Sequence, residues 1–502
     1  MARAGIFAEG SDLQRTMVLL TVSSCTMLYS LTVTIVNVTL PQLQGALSAS
    51  PDQVAWVITL NLVATAVVTP ATGWIVGRFG QRQVMIWAVV GFTISSLLCA
   101  TATSLAPLLV YRIGQGAFGA PMVPLSQAIV VATYPPEKRA MAQGWFGVAV
   151  VLGPAIGPVL GGYLAEEYNW RWVFILLVPL CVVALLMVLT FIRERGRQSG
   201  IRLDWTGFLA LSIAITCLQL MMDRGERLDW FDSTEIILLT AVMALSFYVF
   251  VAHTFTTDQP FIAPALFLDR NFAVGLVFVF VYGMLNFTPL TMLPPLLQSL
   301  KGYPDSLIGY VLGSRGVGMV LGFFLAGQMG RLDPRVGLFI ALGLVALSGV
   351  MLMDFQVGTS FGALAWMGFI QGLGTGLMWV PLSIVTFATL APEKLPQAAS
   401  LFHLLRNFGS SIFISLSVMT AARTGRISYS ELSEHISPLR ETVQLPWVMG
   451  PRTLDNLPDL LALSGEVGRQ AQLIGHLNAF ALYTAAAVLT MPFLLLVRIR
   501  RR

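Results

Sequence analysis

Polar residues cut this chain into apolar runs of roughly 17–25 residues, the length a helix needs to cross a lipid bilayer. Fourteen such runs stand near residues 16–40, 53–76, 83–103, 105–131, 140–164, 172–192, 205–222, 235–254, 272–297, 307–329, 336–354, 361–390, 397–420 and 476–497. The first extends from about Met17 to Leu40, longer than a secretory core of roughly 7–15 residues, and no A-x-A-like cleavage site follows it. It reads as a retained spanning helix. The pattern predicts an all-α, multi-pass membrane protein.

Some runs carry polar residues that lipid does not favour. In LYSLTVTIVNVTLP (28–41), Ser30, Thr34 and Asn37 are spaced i, i+4, i+7 and form one stripe, while Thr32 lies about 200° from Thr34 at 100° per residue. A helix polar on two faces suits the wall of a transport path. Asn61, Gln115, Gln127, Tyr282, Asn286 and Asn407 are costly against lipid. Each lines that path or bonds a neighbouring helix. Three arginines, Arg112, Arg315 and Arg406, also fall within runs. An arginine at a helix centre costs roughly 2.5–3.5 kcal/mol on insertion scales. All three must be partnered or face a water-filled cavity.

The halves repeat. IGQGAFGAPMVPLS (113–126) echoes IQGLGTGLMWVPLS (370–383), and PPEKRAMA (135–142) echoes APEKLPQA (391–398). Gln115 and Gln371 are offset by 256 residues; the position equivalent to Arg112 is then Gly368, so the fold alone does not require a charge there. Parallel repeats of six helices predict a transporter of two bundles around a midplane site. The expected organisation is an amino-terminal six-helix bundle (1–200), an inserted two-helix hairpin (201–258) and a carboxy-terminal six-helix bundle (259–502) with an outer loop, 421–475.

Composition agrees with burial in lipid. The chain of 502 residues is 56% hydrophobic and only 11% charged, against roughly 25% for soluble domains. Its four cysteines lie inside apolar runs and match no metal spacing; no metal or cofactor is expected. The formal charge of +5 comes from basic residues scattered at run ends, so it does not indicate a nucleic-acid partner. Arg3, Arg15, Arg78, Arg82, Lys138, Arg139, Arg193, Arg195, Arg197, Arg202, Arg270, Arg331, Arg335, Lys394 and Arg498 to Arg502 gather on the side of the termini. That bias places both termini in the cytoplasm. An ATP-driven pump would need a Gly-rich loop ending in Lys-Ser or Lys-Thr, and a zinc-dependent intramembrane protease H-E-x-x-H; neither occurs. A channel is the alternative of a different class.

Span five contains GPAIGPVLGG (153–162), in which Gly153, Gly157 and Gly161 form one smooth ridge while Pro154 and Pro158 remove backbone donors. This segment resembles the antiporter motif of major facilitator exporters, and RIGQGAFGA (112–120) their fourth-helix motif. GWIVGRFGQR (73–82) is similar to their loop between helices two and three. With TIVNVTLP (34–41), WRWVFILLVP (170–179) and MMDRGERLDWF (221–231), the chain resembles the fourteen-helix drug:proton antiporters of the EmrB/QacA type, the last segment being most EmrB-like.

The resemblance implies the major facilitator fold, proton-coupled antiport of amphipathic drugs at an inner membrane, and a role for Arg112 in coupling. It implies that Gly153, Pro154, Gly157, Pro158, Gly161 and Gly162 serve alternating access, and that Gly73, Gly77, Arg78, Gly80 and Arg82 form a cytoplasmic gate. EmrB-like members also work with a periplasmic membrane-fusion adaptor and an outer-membrane channel; the loop 421–475 either meets such a partner or is merely solvated. Export of one metabolite or siderophore is the runner-up within transporters.

Two departures stand out: Gly77 and Thr32 occupy positions where the family usually has Asp. No acidic residue falls mid-span, and arginine keeps its proton. The remaining candidates for proton coupling are Asp223, which closes span seven, and His403, which shares its helical face with Arg406. A third possibility is that a weakly acidic substrate carries the proton itself.

Overall fold

The computed structural model describes residues 11–194, 203–329, 333–436 and 456–497. Arg3, Arg195, Arg197, Arg202, Arg331 and Arg498 to Arg502 lie outside them, as does the side chain of Pro158. Fourteen helices are long and apolar enough to cross a membrane. They are α1 (Asp12–Ile35), α2 (Gln53–Phe79), α3 (Gln81–Thr101), α4 (Leu105–Thr133), α5 (Pro136–Glu167), α6 (Arg171–Phe191) and α7 (Trp205–Arg224). Then follow α8 (Thr234–Thr256), α9 (Arg270–Lys301), α10 (Leu307–Gln328), α11 (Pro334–Met353), α12 (Phe361–Phe387), α13 (Pro392–Glu434) and α14 (Leu457–Leu496). The described residues contain no strand.

Short polar side chains start these helices by accepting from backbone amides that lack an intrahelical partner. Ser11 accepts from Gln14 at α1, Asp269 from Phe272 at α9 and Ser360 from Ala363 at α12. Ser50 and Gln53 form a reciprocal capping box at the start of α2. Within α4 the helix pauses at Ala120–Pro121, where proline withholds a donor.

Helices α1 to α6 close on one another, α1 packing on α4, α5 and α6, α2 on α4, and α3 on α4 and α6. The second half repeats this: α9 packs on α12, α13 and α14, α10 on α12, and α11 on α12 and α14. Glycines let the backbones of α10 and α12 touch. A Cβ placed on Gly318 would lie 2.1 Å from Phe369 O, and one on Gly372 only 1.9 Å from Arg315 O. Between the halves, α5 meets α10 and α12, while α2 and α4 meet α13. The hairpin helices α7 and α8 pack together, and α7 alone bridges, touching both α2 and α13. Helix α8 fully buries only Ile236 and Phe250.

One expectation changes. The segment expected as an outer loop, 421–475, is largely helical: α13 runs on to Glu434 and α14 begins at Leu457. The two extensions pack through small residues, a Cβ on Gly475 falling 2.2 Å from Ala421 O and one on Gly425 falling 3.5 Å from Ala471 O. Tyr429 and Ser464 share a hydrogen bond of 2.9 Å farther out. Hydropathy drops where a helix leaves lipid, but backbone hydrogen bonding and close packing continue past that point.

Candidate functional site

Arg112 is 1% exposed. Its Nε donates to Val57 O on α2 at 2.9 Å, and its Nη1 donates to Gln115 Oε1 one turn along α4. Gln115 in turn donates to Ser96 Oγ on α3 at 2.7 Å. Asn61 donates to the Arg112 carbonyl at 3.0 Å. Thr65 donates to Asn61 O and Gly116 O, and it accepts from the Tyr29 hydroxyl of α1 at 3.1 Å. Four helices of the first half are thereby joined around one guanidinium, which meets the requirement for partners in a buried charge.

Arg315 repeats the device from another helix. It is 5% exposed, its Nε donating to Gln371 Oε1 and its Nη2 to both Asn286 O and Asn286 Oδ1 at 2.6 Å. Gln371 also donates to Leu285 O and to the Tyr483 hydroxyl. The glutamines are equivalent in the repeat, whereas the arginine has moved from α4 to α10, the counterpart of α2. Gly368, the equivalent of Arg112, leaves the room: a Cβ there would sit 3.7 Å from Arg315 Cβ.

Arg406 differs. It is only half-buried, and among the described residues its guanidinium donates to Asn407 Oδ1, at 3.1 and 3.3 Å. It lies within electrostatic reach of Tyr29 from the first half and Tyr282 from the second. Gly283 places it, since a Cβ there would meet Arg406 O at 2.0 Å and hold α9 and α13 apart. Tyr282 packs on Trp379, with ring centroids 5.1 Å apart, and Trp379 faces Phe402 and His403. His403 is 1% exposed and neither ring nitrogen has a hydrogen-bond partner. Gln127 donates to Ser383 Oγ at 3.2 Å, a contact across the halves between residues 256 apart.

The polar stripe of α1 divides. Thr32 is buried and donates to Leu28 O of its own helix at 2.9 Å, so it presents no free hydroxyl to an open surface. Ser30 and Thr34 are half-buried against the glycine ridge of α5. A Cβ on Gly153 would come within 2.7 Å of Met27 O and 3.0 Å of Ser30 Cβ, one on Gly157 within 2.3 Å of Thr34 Oγ1, and one on Gly161 within 2.7 Å of Ile35 O. Pro154 and Gly162 are half-buried, and α5 stays helical past both prolines. Asn37 is exposed in the turn that follows α1.

At the end of the bundle where the termini lie, the halves press together. A Cβ on Gly73 would come 2.6 Å from Gln397 Cα, one on Gly144 2.8 Å from Phe323 O and one on Gly327 3.5 Å from Met141 Cα. Along α10 towards the far end, Gly309 and Gly313 have nothing within 4 Å of a Cβ. Gly80 adopts φ +90° against the Glu194 carboxylate, which accepts from the amides of Arg82 and Gln83 and so caps α3. Glu194 thus supplies an acid beside the loop in which Gly77 has none; Arg78 is exposed. Asp223 is exposed and accepts from Thr59 Oγ1 of α2 at 2.6 Å. Thr59 lies two residues from Val57, so Asp223 and Arg112 hold the same turn of α2, whereas His403 stands apart from both.

Several participants are absent from the sequence-based list: Tyr29, Thr59, Thr65, Ser96, Trp379, Tyr483 and Glu194. Gln371 had its signal, the repeat with Gln115. Apart from Glu194, the others are single hydroxyls or rings, common in any span, and only the fold shows what they reach.

Residues 22–414 match the family model described as Major Facilitator Superfamily. The chain is 35% identical over 445 residues to the multidrug export protein EmrB of Escherichia coli (strain K12), an alignment covering 87% of this chain and 85% of that protein. It is 30% identical over 471 residues to the fatty acid resistance protein FarB of Neisseria gonorrhoeae, covering 93% and 92%. The crystal structure of the human organic anion transporter MFSD10 shares the fold, with a TM-score of 0.63 at 17% identity over 96% of this chain and 99% of that one.

Proposed function

Because the chain belongs to the Major Facilitator Superfamily, we propose that it is a multi-pass multidrug exporter that moves amphipathic compounds outward in exchange for protons by alternating access. The observation that carries this reading is the seam: the halves interlock at the terminal end, while Gly309 and Gly313, farther along α10, have nothing within 4 Å of a Cβ. Two bundles joined at one end can rock about a central site, which a permanently open pore does not need. The similarity to EmrB along most of both chains supports the choice of drugs as cargo.

The basic residues at the terminal end support a cytoplasmic location for both termini. On this reading the close approach of Gly73 and Gln397 is a closed cytoplasmic gate. Amphipathic weak acids and neutral compounds fit this interior better than lipophilic cations, since it holds three arginines and no mid-span carboxylate. FarB, a relative named for fatty acid resistance, points the same way. A weak acid that leaves as the anion and returns protonated carries a proton inward, which removes the need for an acid at Thr32. Where the protein itself takes part in coupling, Arg112 and Asp223 act on one turn of α2. The projecting ends of α13 and α14 offer an adaptor and outer-membrane channel a surface to hold.

Reconstituted protein tests the reading. A pH gradient is expected to drive uphill movement of a fluorescent amphiphile, and unlabelled compound on one side is expected to accelerate exchange of labelled compound from the other. Movement without such trans-stimulation means a channel.

A further inference from the structure

We propose that Arg406 is the anion subsite of the transport path, receiving the carboxylate or phenolate of an amphipathic substrate, whereas Arg112 and Arg315 are closed structural locks. The proposal rests on the exporter reading and adds the residue that selects charge.

The three intramembrane arginines separate by what they already hold. Arg112 and Arg315 are almost fully buried, and the carbonyl and amide oxygens of Val57, Gln115, Gln371 and Asn286 take their N–H groups. Both networks close within one half of the molecule. An anion reaching either would have to displace these partners and open the packing of helices held together through glycine. The Nε and Nη2 of Arg406 both point to one oxygen. Arg112 and Arg315 reach acceptors on neighbouring helices, whereas the half-buried Arg406 bonds, among the described residues, to the side chain next to it in sequence. Among the described residues Arg406 makes no salt bridge, and no acidic side chain lies mid-span.

Position supports the assignment. Arg406 sits at the seam, near Tyr29 of the first half and Tyr282 of the second. It lies eleven residues into the helix that begins at Leu395, about 17 Å from the terminal end at 1.5 Å per residue, a depth near the middle of a hydrocarbon core about 30 Å thick. A half-buried cation at that depth gains from an incoming anion, and charge-assisted bonds to arginine are shorter and stronger than neutral ones. Asn407 pre-orients the guanidinium without neutralising it. Tyr29, half-buried and bonded to Thr65 beside the Arg112 network, gives the apolar body of a substrate a ring to lie against on the opposite wall.

The test compares two probes of one shape, a medium-chain fatty acid and its methyl ester, in proteoliposomes containing the full-length wild type, Arg406→Gln or Arg406→Lys. Arg406→Gln is expected to raise the KM for the acid about tenfold or more, the loss of one hydrogen-bonded charge, and to change that for the ester less than twofold. Arg406→Lys, which keeps the charge and loses the fork, is expected to recover part of the difference. Transport of the ester shows that each variant is folded. Equal losses for acid and ester, or an unchanged KM for the acid, overturn the assignment while leaving the exporter reading intact. A wild type that moves the ester but not the acid overturns it as well. A wild type that moves neither overturns the exporter reading and the assignment with it.

Discussion

Arg112 and Arg315 solve one problem from different helices: each brings a charge into the membrane interior and surrounds it with a glutamine, a backbone carbonyl and further hydrogen bonds. A guanidinium held this way couples helices mechanically as well as electrically. Arg112→Ala leaves Val57 O and Gln115 without their partner in a buried site, at about 1–3 kcal/mol for each unsatisfied group. Uphill transport driven by a pH gradient is expected to fall at least tenfold in this variant, while counterflow without a gradient persists; equal loss of both means that Arg112 only holds the fold. The arginines and their need for partners were legible as intramembrane charges. Their division into two closed locks and one open cation was not, because spacing along a helix does not tell which carbonyls a side chain reaches. The same limit applies to Thr32. A threonine can satisfy its own hydroxyl on the preceding turn, as Thr32 does on Leu28, and so lie in packed surroundings without marking a polar path.

At the scale of elements, the inserted hairpin is more than a spacer. Asp223 receives Thr59 of α2, while Gln219 Oε1 and Met222 O of the same helix receive Ser411 and Ser415 of α13 at 3.0 and 2.8 Å. Helix α7 therefore straps the two halves across the side where they must move. Its base is fixed by Asp204, which accepts from the amides of Gly207 and Phe261 and pairs with His253 of α8 at 2.8 Å. Burial pushes the Asp204 carboxyl up, but those amides and the His253 ring outweigh it and hold it below the ordinary carboxylate range. A group depressed in the folded state contributes stability above its unfolded pKa and loses it as the pH falls through its folded one. Thermal unfolding in detergent is thus expected to be flat from neutral pH to about pH 5 as far as this group is concerned, and to weaken below about pH 4. Asp204→Asn is expected to unfold earlier at neutral pH, by about 1–3 kcal/mol, with a shallower decline in acid. The hairpin was visible in the sequence as a pair of spans outside the repeat. Its strapping role was not, since the contacts are isolated Ser and Thr hydroxyls. The helical extensions of α13 and α14 were hidden for a different reason: their packing uses Gly425, Ala471 and Gly475, which leave no hydropathy signal.

At the scale of the whole molecule, function requires the closed end to open. Met141 and Gly327 face each other there from opposite halves, and a Cβ on Gly327 would sit at ordinary contact, 3.5 Å from Met141 Cα. With cysteines at both positions, oxidation is expected to form a cross-link that abolishes transport, and reduction to restore it; the four native cysteines are buried and leave the assay clean. Transport that survives complete cross-linking would mean that this seam does not separate during the cycle. The two-bundle plan was legible because six-helix repeats leave an echo in the chain. The conformation was not, since one sequence serves both states.

Helices α13 and α14 each exceed the roughly 20 residues a crossing needs by about 20 more, an excess of about 30 Å at helical rise. Because they are continuous from the second bundle outwards, they behave as a stiff arm fixed to a rocking body. A rigid rotation of about 15° would sweep the tip of a 30 Å arm by roughly 8 Å. The position of the transporter in its cycle is then readable at the membrane face from which that arm projects. By reciprocity, anything that holds that tip still also holds the gate at the opposite end.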